Sequence, residues 1–200
     1  MKEAIIVFVR KPELGKVKTR LAASLGNEKA LEIYKVLLLH TREICEKVNA
    51  HKFVYYHEKI EINDLWDADG FKKRLQTNAG LGEKMMQAFK DVFDAGYKKV
   101  LIIGSDCLQL TDGIIKDAFN QLHENEVIIG PAKDGGYYLL GMKNLYPYLF
   151  ENKTWSTSTV FDETMEDAEH HQLSIAVLPV LTDVDTEADW IESKPMQHDV

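Results

Sequence analysis

Along the chain, short apolar runs alternate with longer stretches of helical periodicity. Residues 4–9, Ala-Ile-Ile-Val-Phe-Val, form a continuous apolar run rich in β-branched side chains. Such a run predicts a strand buried on both faces, as in a parallel sheet. A polar loop over 10–18 follows, then a long helical pattern. In it Ala30, Ile33, Tyr34, Leu37, Thr41 and Ile44 recur at steps of three and four. Residues 53–56 predict a second strand and 73–76 a weaker third, separated by an acidic, irregular stretch over 58–70. Gly80 and Gly82 precede a helix with Met86, Phe89 and Phe93 on its apolar face, and Gly96 stands where a C-terminal cap belongs. Residues 100–104 are the clearest buried strand. A helix over 111–123, strands over 127–129 and 137–140, a helix over 159–171 and a strand over 175–178 complete the pattern. Thr159 and Asp162 fit a capping box, and 183–189 open a short last helix.

This alternation predicts a single-domain, three-layer α/β/α sandwich over 1–200. The strand at 137–140 follows its predecessor too closely for a crossover helix, so one strand of a mixed, mostly parallel sheet should run antiparallel. No repeat, low-complexity tract or linker divides the chain. In open α/β sheets ligands bind beyond the carboxyl ends of the strands. That rule directs attention to the loops at 10–20, 80–83, 105–109 and 133–136.

Composition narrows the function classes. The net charge of −8 argues against duplex nucleic acid or an anionic membrane as the main partner. Two cysteines, Cys45 and Cys107, are too few for a disulfide framework and suit a reducing, cytoplasmic compartment. No signal-peptide layout and no apolar run long enough for a membrane span is present.

Against this acidic background the first loop is conspicuous. Arg10, Lys11, Lys16, Lys18 and Arg20 put five cations into eleven residues between a buried strand and a helix. Gly15 lets backbone approach a ligand, and the following helix start offers free N–H groups to an anion. Phosphate binding by Arg10, Gly15, Lys16, Lys18 and Arg20 is expected, although charge runs are often only solvated surface. Neither the P-loop pattern nor the dinucleotide GxGxxG pattern is present. Asp106, just past the most hydrophobic strand, suits a hard divalent cation shared with phosphates. Its bland alternative, a cap for the next helix, is weakened because Thr111 and Asp112 are better placed for that. Asp183, Asp185 and Asp189 follow the last strand, where they could complete a metal site or merely complement a helix dipole. In the Lys133-Asp134-Gly135-Gly136 turn, Asp134 could accept from a sugar hydroxyl or act as base, and the glycines could leave space for substrate. Gln76 could read a nucleobase edge above Gly80 and Gly82. Trp155 could line a sugar pocket or belong to the core. Cys107 reads as a small buried residue.

Taken in order, the segments FVRKPELGKVKTRL, QTNAGLGEKMMQAF, GSDC, GPAKDGGYYLLGM, the WST segment and DVDTEADW resemble the bacterial glycosyltransferase-A-type family labelled DUF2064. Its members are similar to the nucleotidyltransferases that activate molybdopterin or phospholactate. The resemblance spans residues 8–190 and implies a Rossmann-like nucleotide-diphosphosugar transferase fold. It also implies NTP or nucleotide-sugar phosphates against Lys16, Lys18 and Arg20, and Mg²⁺ or Mn²⁺ on Asp106 and Asp185, with Asp183 as neighbour. Two departures stand out: Leu108 replaces the family's proline after GSDC, and the first loop has a single glycine. A triphosphate asks for many close backbone donors, so the expectation is a metal-dependent glycosyltransferase using a nucleotide-sugar and a small-molecule acceptor, with Lys18, Arg20 and Asp134 in catalysis. Nucleotidyl transfer from an NTP is the alternative, and a non-catalytic nucleotide-binding regulatory module is the alternative of another class.

Overall fold

The computed structural model describes residues 2–67 and 69–194. Seven strands form one sheet in the order β3-β2-β1-β4-β6-β5-β7. They are β1 (Glu3–Val9), β2 (His51–Tyr56), β3 (Phe71–Leu75), β4 (Lys99–Ile103), β5 (Val127–Pro131), β6 (Tyr137–Met142) and β7 (Ile175–Val177). Only β6 is antiparallel to its neighbours, pairing Ile102 with Leu140 on one side and Ile129 with Leu140 on the other. The short 132–136 connection dictates this, as expected. All residues of β4 and β5 are buried, which is why their sequences read as apolar runs rather than alternating ones.

The helices are α1 (Thr19–Leu25), α2 (Asn27–Glu46), α3 (Leu81–Asp94), α4 (Asp112–Gln121), α5 (Val160–His170) and α6 (Glu187–Ser193). One face of the sheet packs Ile5, Val7 and Leu101 against Tyr34 and Leu38 of α2 and Ile115 and Phe119 of α4. The other packs Ile6, Val100 and Ile102 against Phe89 and Val92 of α3 and Ala168 of α5. Leu21 of α1 and Val184 before α6 close a smaller cluster on α2. This is the three-layer sandwich the periodicity predicts. Among the described residues no helix is long and apolar enough to cross a membrane.

Local differences have local causes. The helical pattern after residue 18 is two helices, broken where Gly26 takes φ 82° and its N–H returns to the Ala22 carbonyl. Thr111 caps α4 by accepting from the Ile114 N–H at 3.2 Å. Thr159 does not cap α5: its φ of −100° and ψ of −6° already turn it into the helix, and its hydroxyl donates to Glu163 Oε1 at 2.7 Å instead. β3 begins at Phe71, two residues earlier than expected, and Lys73 on this edge ties the irregular segment down through Asp64 and Asp67.

Candidate active site

The chain runs from β1 outward to β2 and β3, then returns to place β4 on the other side of β1. The crevice at this switch point is where an open α/β sheet binds ligands. A cavity of about 880 Å³ opens there, walled by the loops that leave β1, β4 and β7 and by the start of β6.

Lys18 sits at its centre. The Nζ donates to Asp106 Oδ2 at 3.0 Å and to Asp185 Oδ1 at 2.8 Å, and the side chain is 8% exposed. Burial alone would lower the ammonium's pKa; the Asp106 and Asp185 carboxylates outweigh it and hold Lys18 above its ordinary value. The residue carries a left-handed backbone, φ 47° and ψ 48°, immediately before α1. In a non-glycine residue that conformation costs on the order of 1–2 kcal/mol. Arg20, mostly exposed, stands 3.7 Å from Asp185 Oδ2.

The carboxylates are positioned by backbone. The Val184 N–H donates to the Asp106 carbonyl at 2.9 Å, lacing the loop after β4 to the loop after β7. Gly104 leaves room for Asp106 to fold back, since a Cβ there would meet Asp106 Oδ1 at 2.7 Å. Asp183, between these groups, lines the cavity with a buried Oδ1 that has no hydrogen-bond partner. Burial first, then the charges of Asp106, Asp134 and Asp185, raise its pKa well above the carboxylate range, with Lys18 opposing. Among the described residues no three His, Cys, Asp or Glu side chains converge tightly enough to hold a metal ion. Asp106 and Asp185 are instead drawn onto the Lys18 ammonium. The oxygen-only donor set, the orphaned Asp183 oxygen and a cation already shared by two carboxylates fit a hard divalent ion.

The other expected residues separate into two groups. Arg10, Gln76, Asp134, Gly136 and Trp155 line the cavity with Lys18, Arg20, Asp106 and Asp185. The Gln76 Nε2 is engaged within the protein, donating to the Tyr55 carbonyl at 2.9 Å. Asp134 Oδ1 accepts from the Gly136 N–H at 2.9 Å, which leaves Oδ2 for a ligand. Gly15, Lys16, Gly80, Gly82 and Gly135 are not in the cavity wall. The loop over 11–16 curls back on itself through Glu13 N–H to Lys11 O and Lys16 N–H to Glu13 O. Lys16 pairs with Glu13 and faces a separate hollow of about 290 Å³. Gly80 starts α3, its N–H held by Glu83 at 3.2 Å. At Gly82 a side chain would collide with the Trp155 indole. At Gly135, φ 89°, it would collide with the Ser158 carbonyl. These two glycines therefore admit protein, not substrate.

Several wall residues were not anticipated. Lys84, one turn into α3, approaches His57 Nδ1 at 3.3 Å. The Tyr34 hydroxyl receives the Arg10 N–H and donates to the Arg10 carbonyl, both at 3.1 Å, which fixes the exit from β1. Tyr137 crosses Trp155 edge to face at 6.5 Å. Cys107 is buried and its thiol pKa is raised by that burial, which removes it as a nucleophile.

A family model for an uncharacterized protein conserved in bacteria, DUF2064, matches residues 40–157. The chain belongs to this family. A candidate nucleotide-diphospho-sugar transferase from Desulfovibrio desulfuricans G20 is 33% identical, with a TM-score of 0.85 over 93% of this chain and 84% of that one. The DUF2064 chain also superposes on 4-diphosphocytidyl-2C-methyl-D-erythritol synthase from Anaerococcus prevotii, with a TM-score of 0.62 at 12% identity over 96% and 94% of the two chains. Rv0371c from Mycobacterium tuberculosis, crystallised with manganese, gives 0.57 at 10% over 96% and 98%. At the last two identities the likeness is one of fold: the nucleotide-diphospho-sugar transferase fold. No curated protein sequence matches the chain.

Proposed function

We propose that this DUF2064 protein is a metal-dependent transferase that takes a nucleotide-sugar and passes its sugar to an acceptor hydroxyl. The observation that carries the reading is the direction of the first loop. Within residues 11–16 the Glu13 and Lys16 N–H groups close the loop's own turns, and none of the six residues lines the cavity. Of the loop's cations, Arg10, Lys18 and Arg20 line the cavity, with Lys84 of α3 also in its wall, a set suited to a diphosphate rather than to a wrapped triphosphate.

Asp106 and Asp185, with Asp183 beside them, would hold Mg²⁺ or Mn²⁺. That ion would supply charge neutralisation at the diphosphate. The chain's own groups carry the rest. Lys18 exchanges its two carboxylates for phosphate oxygens, and Arg20 adds a second cation at the mouth. Asp134 Oδ2 takes the proton of the acceptor hydroxyl. The hydroxyl oxygen bonds to the anomeric carbon, the bond from that carbon to the phosphate oxygen breaks, and the nucleoside diphosphate leaves with the electron pair.

Product identity tests this. With Mn²⁺ present, a panel of nucleotide-sugars should include one from which the protein releases nucleoside diphosphate, slowly to water when no acceptor is supplied. Asp134→Asn should lower that turnover more than it lowers diphosphate affinity. Pyrophosphate from an NTP, with no diphosphate from any sugar donor, would replace this reading by nucleotidyl transfer.

A further inference from the structure

The cavity walls are sorted by charge. The β1–β3 side with the start of α3 contributes Arg10, His57, Gln76 and Lys84, and no carboxylate among the described residues. The centre holds Lys18 and Arg20 against three aspartates. The side built from β6 and the approach to α5 contributes Asp134, Tyr137, Trp155 and the hydroxyl run over 156–158, and no cation among the described residues. The lysines nearest in sequence are engaged elsewhere, Lys133 with Glu192 and Lys153 with Asp167.

This third wall has the chemistry of a carbohydrate subsite. Trp155 is half-buried, seated in the notch of Gly82 and braced edge to face by Tyr137, so its indole is a rigid apolar platform. Asp134 lines the same cavity with Oδ2 left over from its bond to the Gly136 N–H, and the buried Tyr137 hydroxyl has no partner of its own. An acid or phosphate brought here would meet Asp134 without a counter-charge, while a neutral ring offers apolar C–H groups to Trp155 and hydroxyls to Asp134.

We propose that the β6–α5 wall selects an uncharged, polyhydroxylated ring and rejects anionic ones, with Trp155 and Asp134 setting that specificity. The proposal rests on the nucleotide-sugar reading and names the class of group handled beside the diphosphate, whether the donor's sugar or a sugar acceptor.

The test is calorimetry on the full chain with Mn²⁺. UDP, CDP, GDP, ADP and dTDP first identify the nucleobase. The glucose and glucuronate conjugates of the diphosphate that binds are then titrated in one arm. Methyl glucoside and methyl glucuronoside are titrated onto the diphosphate complex in the other. The neutral member should bind at least tenfold tighter in whichever arm responds, which also tells donor sugar from acceptor. Trp155→Ala should weaken that neutral ligand at least fivefold and leave the diphosphate within twofold, with Trp155→Phe recovering most of the loss. Equal or tighter binding of the glucuronate forms overturns the proposal. So does a Trp155→Phe variant that weakens diphosphate and sugar alike, or a sugar that adds nothing in either arm while the diphosphate binds. If no diphosphate binds, the nucleotide-sugar reading fails first and takes this proposal with it.

Discussion

β4 has a buried lysine at each end, and the two could hardly be used more differently. Lys99, its first residue, is 1% exposed in ordinary strand backbone. Its Nζ donates to the Phe119 carbonyl at 2.9 Å, near the C-terminal end of α4, with Glu3 at 3.5 Å. That carbonyl is fixed by the helix and has no other use for the bond. Lys18 meets Asp106 just beyond the other end of the strand. It sits in a strained left-handed backbone, on carboxylates that are themselves more than a third exposed. The first lysine closes a gap in the core; the second holds charge where a ligand could take it over. Burial alone does not distinguish these two lysines. The partner's replaceability and the strain in the backbone do.

Four measurements would break or sharpen this contrast, the largest first. Asp106→Ala should remove more than about a hundredfold of the Mn²⁺-dependent gain in diphosphate affinity while the protein stays folded. Calorimetry with and without Mn²⁺ reads it, and an unchanged gain would take Asp106 out of the metal site. Lys18→Met should weaken a nucleoside diphosphate roughly ten- to a hundredfold, the worth of one or two charge-assisted bonds, and leave the bare nucleoside unaffected. Without nucleotide the same variant should bind Mn²⁺ more tightly, because the competing ammonium is gone. Lys99→Met should do the reverse. It should cost about 1–3 kcal/mol of stability through the Phe119 carbonyl left unpaired, seen as a fall of several degrees in Tm, with diphosphate affinity unchanged. A Lys99 variant with normal Tm and lost affinity would erase the distinction.

The smallest effect concerns Asp183, measured without metal. Its folded pKa is raised, so the folded chain holds a proton that the unfolded chain releases once pH passes the ordinary carboxylate value. Ionisation therefore costs stability as pH rises from about 4 toward the folded pKa. Asp183→Asn should leave Tm near wild type at pH 4 and raise it progressively toward neutral pH. A stabilisation largest at low pH would contradict the sign.

The fold was legible because strands covered on both faces must be apolar throughout, and because a connection as short as 132–136 permits only an antiparallel return. The cavity lining was legible where a polar residue follows closely on a strand end, as Arg10, Asp106 and Asp134 do. It was opaque where a tertiary pairing decides direction. Lys16 and Lys18 look alike two residues apart, yet Glu13 draws Lys16 outward and the aspartates draw Lys18 inward. Glycines gave the least away: Gly82 and Gly135 have the look of ligand clearance, but an absent side chain does not say whether substrate or protein fills the space. Lys84 and Tyr34 lie inside helical patterns, where periodicity marks a face without saying what lies opposite it.

The contact at Gly135 has a mechanical consequence. The turn that carries Asp134 and the loop that carries Trp155 touch backbone to backbone at Ser158, and the Phe161 N–H is anchored on the Gly135 carbonyl at 2.9 Å. Two segments about twenty residues apart in sequence are thereby riveted into one plate. A backbone displacement of one segment therefore carries the other, so the spacing between the Trp155 indole and the Asp134 carboxylate is set by the backbone contact rather than by either loop alone.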